Sequence, residues 1–126
     1  MTYEIDLKSE KTIAEPVSLK ISIENITKGF TIEKSPCTLY LDYDKVASTM
    51  EVRKWQKGDW FIPFGMKGRK KLSDYFSNNK FSLFDKENAW ILCSGEDVVW
   101  LIGHRSDDRF KITTNTEKVV KIVLEN

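Results

Sequence analysis

Short runs in which apolar and polar residues alternate are the clearest pattern in this chain. Residues 17–23 read Val-Ser-Leu-Lys-Ile-Ser-Ile, a strict alternation that predicts a half-buried strand. Two apolar runs, 89–93 and 98–102, flank Gly95-Glu96-Asp97 and predict a hairpin. Similar patterns predict the remaining strands at 37–43, 49–55, 110–113 and 119–124.

A change of periodicity near residues 70–79 predicts one helix. Leu72, Tyr75, Phe76 and Asn79 fall at i, i+3, i+4 and i+7, so three apolar groups share one face. Asn78-Asn79 is a suitable stop, because Asn tolerates the left-handed conformation found at helix ends. Residues 85–88 are compatible with a second short helical turn or with a polar loop.

The order of these elements predicts the fold class. Strands and helices do not alternate as a doubly wound parallel sheet requires. The chain has 126 residues, which suits one core rather than two. We therefore expect a single α+β domain over residues 1–126, rich in β-strands that form mixed or antiparallel sheets.

Composition excludes several classes of function. No apolar run approaches the roughly 20 residues of a membrane span, and the first residues lack a secretory pattern, so we expect a cytoplasmic protein without membrane contact. Cys37 and Cys93 are far apart and are interpreted as free, buried thiols. His104 is the only histidine, so the ligands for a zinc site are lacking. No metal site and no catalytic constellation is predicted.

Positive charge is concentrated in the middle of the chain. Residues 51–80 carry eight basic and three acidic side chains, a net charge of +5. The segments 1–50 and 81–126 each carry six basic and eight acidic side chains, a net charge of −2. A local excess of this kind is typical of a surface that binds a polyanion.

The basic segment contains a run of turn-forming residues. Residues 65–71, Gly-Met-Lys-Gly-Arg-Lys-Lys, lack the spacing and the Ser or Thr of a Walker loop, so nucleotide binding of that kind is rejected. A weaker hypothesis is that backbone N–H groups at the start of the helix bind a phosphate. The other interpretation is a solvated basic loop. Structural turns are predicted at Gly58, Asp59, Pro63, Gly65, Gly68 and Gly103.

Aromatic residues are interleaved with these cations. Trp55, Trp60, Phe61 and Phe64 could stack on unpaired bases, but packing of each onto the core is the preferred interpretation. Farther along, Asp107-Asp108 lies between Arg105 and Arg109 and is expected to orient these arginines.

Several linked motifs carry a family resemblance. Their order resembles the carboxy-terminal domain of tRNA(Ile)-lysidine synthetases over about residues 39–124. Residues 1–35 match no motif and are assigned as strands of the same domain. Two departures are Trp60, where family members often carry Arg, and the absence of a proline at 84–86. The matching motifs are Arg53, Gly58-Asp59, Pro63 to Met66, Gly68 to Leu72, and residues 41–46, 73–76, 99–105 and 107–111.

This resemblance implies a function for the parent enzyme and a different one for this chain. The parent enzyme uses ATP and Mg to ligate lysine to the wobble cytidine of tRNA(Ile), in an amino-terminal domain with a Ser-Gly-Gly-x-Asp-Ser loop. The nearest stretch here, residues 94–97, lacks the second Gly and the final Ser. The chain is thus expected to be non-catalytic and without a cofactor. Its implied fold resembles a module of the phenylalanyl-tRNA synthetase β subunit.

The implied role is binding of tRNA(Ile) on its acceptor-stem side, next to the catalytic domain of the same polypeptide. The rival hypotheses are a protein-interaction or homodimerisation module with an exposed aromatic patch, and a small stand-alone enzyme, for which no convergent titratable groups are found. The predicted RNA contacts are Arg53, Lys57, Lys67, Arg69, Lys70 and Lys71, followed by Arg105 and Arg109.

Overall fold

A computed structural model describes residues 2–9 and 11–125 of the chain. In this part of the chain the strands are β1 Thr2–Asp6, β2 Thr12–Ile13, β3 Ser18–Asn25, β4 Thr38–Asp42, β5 Thr49–Lys54, β6 Trp60–Phe61, β7 Lys70–Lys71, β8 Trp90–Ser94, β9 Asp97–Leu101, β10 Arg105–Ser106 and β11 Lys118–Glu125. The helices are α1 Leu72–Asn78 and α2 Leu83–Glu87, with 3₁₀ turns at Tyr43–Lys45 and Asp108–Phe110.

These strands form two main sheets and one short ribbon. The first sheet has the order β1-β5-β8-β9-β10, the second has the order β2-β3-β11-β4, and β6 pairs with β7 alone. Each described pairing is antiparallel. The α+β class expected from the sequence is confirmed, and its sheets are antiparallel rather than mixed.

The larger core joins the inner faces of the two main sheets. Alternation places Leu19 and Ile21 of β3 on the same inner face, and both are buried. They belong to one apolar cluster with Met50 and Val52 of β5 and with Trp100 of β9. Burying each aliphatic side chain contributes about 1.5–3 kcal/mol, so this contact stabilises the pairing of the sheets.

The smaller core covers the outer face of the five-stranded sheet. Phe61 of β6 and Leu72 and Phe76 of α1 are fully buried and pack against Ile91 and Cys93 of β8. Strand β8 is therefore enclosed on both faces, which explains why residues 91–93 form a continuous apolar run instead of an alternating one. The same packing holds the basic segment of the chain against the sheet, because β6 and α1 both belong to that segment.

The predicted helix and hairpin are confirmed, with shifted ends. Helix α1 ends at Asn78, but the left-handed residue is Lys80, with φ of 56°, rather than an asparagine. The ambiguous segment 85–88 lies in and just after α2, which starts with a capping box between Ser82 and Asp85. None of the described helices is long and apolar enough to cross a membrane.

The strand predicted at 110–113 is wrong. Asp107 accepts a hydrogen bond from the Arg109 N–H and caps the 3₁₀ turn Asp108–Phe110. Phe110 is buried at the end of this turn as a single apolar anchor, and the chain beyond it to Lys118 is irregular. One buried aromatic was misread as the beginning of a strand.

The two cysteines are free thiols, as predicted, although only one of them is buried. Cys37 is partly exposed, whereas Cys93 lies in the smaller core. Burial raises the pKa of the Cys93 thiol to about 11, so this thiol stays protonated at neutral pH.

Candidate nucleic-acid interface

Within the basic segment, a tight turn follows β5. The Asp59 N–H donates to the Gln56 carbonyl at 3.0 Å, and Gly58 has a φ of 99°, a conformation that favours glycine. The Asp59 carbonyl in turn accepts from the Leu72 N–H at 3.0 Å. This hydrogen bond joins the turn to the first residue of α1, so Asp59 and Leu72 are fixed relative to each other.

Arg53 of β5 stabilises this turn by binding Asp59. Its two terminal nitrogens donate to the two carboxylate oxygens of Asp59, each at 2.9 Å. These hydrogen bonds raise the pKa of Arg53, and both side chains are largely buried. The Arg53 guanidinium is thus engaged by a carboxylate within the fold, and its contact with RNA stays a prediction.

A second turn, Pro63 to Met66, projects from the middle of the segment. The Met66 N–H donates to the Pro63 carbonyl at 2.8 Å, and Gly65 has a φ of 86°. The Gly65 N–H also donates to Asp108 at 2.9 Å. This hydrogen bond, followed by one from Lys111, lowers the pKa of Asp108. Gly68, in contrast to the other predicted turn glycines, does not have a positive φ.

Asp107 connects this turn to the rest of the molecule. Its carboxylate is fully buried and accepts from the Ile62 N–H at 2.8 Å. It also accepts from the Arg109 guanidinium through Nε and one terminal nitrogen, both at 3.0 Å. Arg109 forms a further ion pair with Asp97 at 3.3 Å. Its donors are engaged within the fold, so Arg109 has a structural role, and its contact with RNA stays a prediction.

Asp107 and Asp108 were expected to orient Arg105 and Arg109, and only Arg109 is held in this way. Arg105 donates instead to the Phe64 carbonyl at 2.7 Å, and Asp108 pairs with Lys111 at 3.0 Å. Arg105 therefore supports the second turn, with its side chain only partly accessible.

The remaining predicted cations lie on the surface of the segment. Lys57, Lys67, Arg69 and Lys71 are exposed and Lys70 is partly exposed. Within residues 2–9 and 11–125, none of these five side chains forms an ion pair. Their positive charges are available to a ligand.

Three of these cations share one open cleft of about 690 Å³, here called the cation cleft. Arg69, Lys70 and Lys71 line it together with Gly58 and Gly68, two residues without side-chain bulk. The indole of Trp60 and the side chain of Met66 complete its apolar wall. Lys57 and Lys67 are sequence neighbours of lining residues, so their flexible chains extend the positive surface on both sides.

Trp60 orients Arg69 inside this cleft. The Arg69 guanidinium carbon lies 4.0 Å from the indole centroid, within the range of a cation–π contact. Trp60 is itself contacted by the Arg109 guanidinium at 4.6 Å. Because Arg109 is held by the buried Asp107, the position of Trp60, and through it that of Arg69, is fixed by the fold.

The start of α1, proposed from the sequence to bind an anion, is partly occupied within the fold. The helix has seven residues, and its first N–H, that of Leu72, is bonded to Asp59. Asp74 lies in the first turn and also lines the cation cleft. The positive side chains are therefore the main attraction of this surface for anions, and anion binding by the helix terminus stays a prediction.

The four aromatic residues interleaved with the cations divide into two groups. Phe61 is fully buried, and Trp55 packs on Phe76 with ring centroids 4.8 Å apart, so core packing is confirmed for these two. Trp60 is half-buried under the arginines, and Phe64 is half exposed on the second turn. The preference for core packing is therefore wrong for Phe64.

Sequence reasoning anticipated the role of Asp107 at Arg109 and missed that of Asp59 at Arg53. Asp59 and Asp107 decide which arginines are occupied, and the spacing of Arg53 and Asp59 across a turn was an available signal for one such pair. Among the described residues, no group of three or more His, Cys, Asp or Glu is placed to hold a metal ion. The class defined by these observations is a β-rich α+β domain with an exposed cation-lined cleft.

Comparison with known proteins gives the family. A family model described as the TilS substrate C-terminal domain matches residues 50–123, and the chain belongs to this family. The tRNA(Ile)-lysidine synthase of Parabacteroides distasonis is 54% identical over 106 residues, covering 84% of this chain and 24% of that protein. That of Bacteroides thetaiotaomicron is 43% identical over 114 residues, covering 90% and 27%.

A solved structure agrees with the fold. The crystal structure of a TILS C-terminal domain superposes with a TM-score of 0.78 at 16% identity, covering 100% of this chain and 99% of the other. The chain spans about a quarter of the length of the two relatives named above. The likeness is thus confined to the C-terminal domain of these synthases.

Proposed function

We propose that this chain binds RNA and that the cation cleft holds the phosphate backbone on the acceptor-stem side of tRNA(Ile). The observation that carries the proposal is the convergence of Arg69, Lys70 and Lys71 on one cleft, where none of them forms an ion pair with a described acid. The names of the relatives support a tRNA as the ligand.

The shape of the cleft is suited to a duplex. Double-stranded RNA is recognised mainly through shape and phosphate contacts across its shallow minor groove. The cation cleft is open rather than enclosed, and Gly58 and Gly68 leave space for the close approach of a backbone. Lys57 and Lys67 would add contacts at its margins. Binding should therefore depend strongly on salt and weakly on sequence.

The test is a titration of this chain with an acceptor-stem minihelix of tRNA(Ile) at two salt concentrations. Changing Arg69, Lys70 and Lys71 together to Glu should weaken binding at least about tenfold and flatten the salt dependence by about two to three units, since each lost phosphate contact removes roughly one. The matched control changes Lys8, Lys20 and Lys28, three exposed lysines outside the cleft, to Glu. Equal affinity of the two triple variants would refute the proposal.

The contribution to a complete synthase follows from this proposal. Binding energy at the acceptor stem would orient the tRNA so that its wobble cytidine reaches the catalytic domain of the same polypeptide. ATP and Mg would be used in that domain, in the cytoplasm, and this chain would contribute position and no chemistry.

Self-association is the second candidate function, and one feature favours it. Leu83 and Phe84 are adjacent on α2 and are 70% and 72% exposed. An exposed apolar pair of this kind can form the centre of a small interface. Elution of the purified chain as a dimer that becomes monomeric in Phe84→Ala would support this function, and elution as a monomer at all concentrations would exclude it.

A further inference from the structure

A second opening is lined by Phe64, in the same Pro63 to Met66 turn whose Met66 lines the cation cleft. It is a largely apolar groove of about 530 Å³, here called the apolar groove, between the chain before β4 and the segment 106–112. Ile32 and Tyr40 line one side, and Phe64 and Ile112 line the other. Ile32 and Phe64 are about half exposed, so this groove is open to a ligand.

Phe64 is an exposed ring on a fixed backbone. Its N–H donates to the Ser106 carbonyl at 2.9 Å, and its carbonyl accepts from Arg105 at 2.7 Å. Its neighbour Gly65 is bonded to Asp108. A half-exposed aromatic ring on a backbone that is fixed at its N–H and its carbonyl loses less freedom when a flat ligand stacks on it than a ring on a mobile loop, which makes it a suitable platform.

The charges around the apolar groove largely offset one another. Lys111 is paired with Asp108, and the carboxylate of Asp107 is occupied by Arg109. The remaining charged lining residues are Glu33 and Lys34, whose charges have opposite signs. The groove therefore favours an uncharged planar group over an anion, while the neighbouring cation cleft favours the anion.

The two openings are adjacent along one turn. Phe64 lines the apolar groove and Met66 lines the cation cleft. Two residues apart, their Cα atoms are separated by at most about 7.6 Å. A nucleic-acid strand with its phosphates in the cation cleft can thus place its next unpaired base at Phe64 without a long connection.

We propose that the apolar groove binds an unpaired nucleobase at the 3′ end of the acceptor duplex, stacked on Phe64. The inference rests on the proposed function, because it needs the duplex phosphates in the cation cleft. Stacking of this kind tolerates any base, since every base has a π-face. An apolar side chain of another protein is the competing occupant, and the experiment separates the two.

The experiment compares three minihelices of the same duplex: blunt, with a four-nucleotide single-stranded 3′ extension, and with an equally long 5′ extension. The wild-type chain should bind the 3′-extended form about 5- to 10-fold more tightly than the blunt form, the effect of roughly one stacked base. Phe64→Ala should lose this advantage and keep its affinity for the blunt form. Phe64→Trp should retain the advantage.

Ile23→Ala is the matched control, because Ile23 is an exposed apolar residue of β3 that lines neither opening. Thermal unfolding of Phe64→Ala should match that of the wild type, since the ring is half exposed. Equal binding of blunt and 3′-extended duplexes, an equal gain from the 5′ extension, or an undiminished advantage in Phe64→Ala would each overturn the inference. Failure to bind any of the three duplexes would instead overturn the proposed function.

Discussion

Two sets of cations in this protein have the same charge and opposite surroundings. Arg53 and Arg109, the anchored arginines, each donate two hydrogen bonds to the carboxylate of a single aspartate. Arg69, Lys70 and Lys71 line an open cleft and form no ion pair within the described part of the chain. A basic residue next to a loop can therefore support the fold of that loop instead of contacting a ligand.

The two sets are connected through Trp60. The indole contacts the anchored Arg109 at 4.6 Å and the cleft residue Arg69 at 4.0 Å. The Arg109 guanidinium, which is held by Asp107, thus helps to fix the Trp60 indole. The indole in turn helps to position the Arg69 guanidinium in the cation cleft. Mutations in the anchored set should change mainly stability, and mutations in the cleft set should change mainly affinity.

The largest expected effect comes from removing the buried carboxylate of Asp107. Asp107→Ala leaves the Arg109 guanidinium and the Ile62 N–H without their acceptor, which should lower the free energy of unfolding by about 3 kcal/mol. Urea titration followed by tryptophan fluorescence measures this change. Asp97→Ala removes only the exposed ion pair of the same arginine and should lower the free energy of unfolding by less than about 1 kcal/mol. A loss of that small size in Asp107→Ala would contradict the anchoring role.

The second effect concerns the other anchored arginine. Arg53→Lys keeps the charge and loses the paired geometry with Asp59, so the free energy of unfolding should fall by about 1–2 kcal/mol. Affinity for the minihelix should stay within about twofold at a temperature where the variant is folded. A salt dependence flattened by one unit in Arg53→Lys would instead make Arg53 a phosphate contact after all.

A third, smaller effect is expected at Arg69. Arg69→Ala should weaken minihelix binding about fivefold, or about 1 kcal/mol, and leave the free energy of unfolding within about 0.5 kcal/mol. Isothermal titration and thermal unfolding measure the two quantities on the same sample. Trp60→Phe should produce part of the affinity loss by weakening the cation–π contact. Full affinity in Arg69→Ala would remove this residue from the interface.

The smallest effect is a dependence of stability on acid pH. Asp108 has a lowered pKa in the folded state because it accepts from the Gly65 N–H and then from Lys111. Its contribution is therefore present above the unfolded pKa of about 3.9 and is lost as the pH falls through the folded value. Between about pH 6 and about pH 3, Asp108→Asn should lose less stability than the wild type.

The control for this measurement is Asp74→Asn, which changes an exposed aspartate of α1 that accepts no hydrogen bond from the described side chains. It should keep the acid dependence of the wild type. An identical acid dependence in Asp108→Asn would show that the Gly65 contact does not contribute to stability.

Patterns within single elements predicted much of the fold. The alternation in β3 and the spacing of Leu72, Tyr75 and Phe76 in α1 predicted an element and its buried face. The prediction failed at Phe110, where one apolar residue anchors an irregular chain. It was also incomplete at Thr2–Asp6, a strand that the sequence analysis did not locate. The similarity to a module of phenylalanyl-tRNA synthetase and the extent of the domain over residues 1–126 stay predictions.

The candidate site was predicted only as a region. The sequence analysis identified residues 51–80 as the basic segment, because a local excess of charge requires no knowledge of distant contacts. It could not separate Arg53 and Arg109 from Arg69, since an ion pair depends on where a carboxylate lies in space. Arg109 is occupied by a neighbour in sequence, but Trp60, which it supports, lies far from it along the chain.

Local periodicity and composition were enough to predict the longer strands, helix α1 and the position of the positive charge, and the linked motifs carried the resemblance to the family. Only the tertiary structure decided which cations are exposed, that three of them share a cleft, and that Phe64 lies beside it. These properties depend on contacts between residues such as Ile62 and Asp107, which are 45 positions apart. The position of a carboxylate in the fold, and not its presence in the chain, determines which arginine it holds.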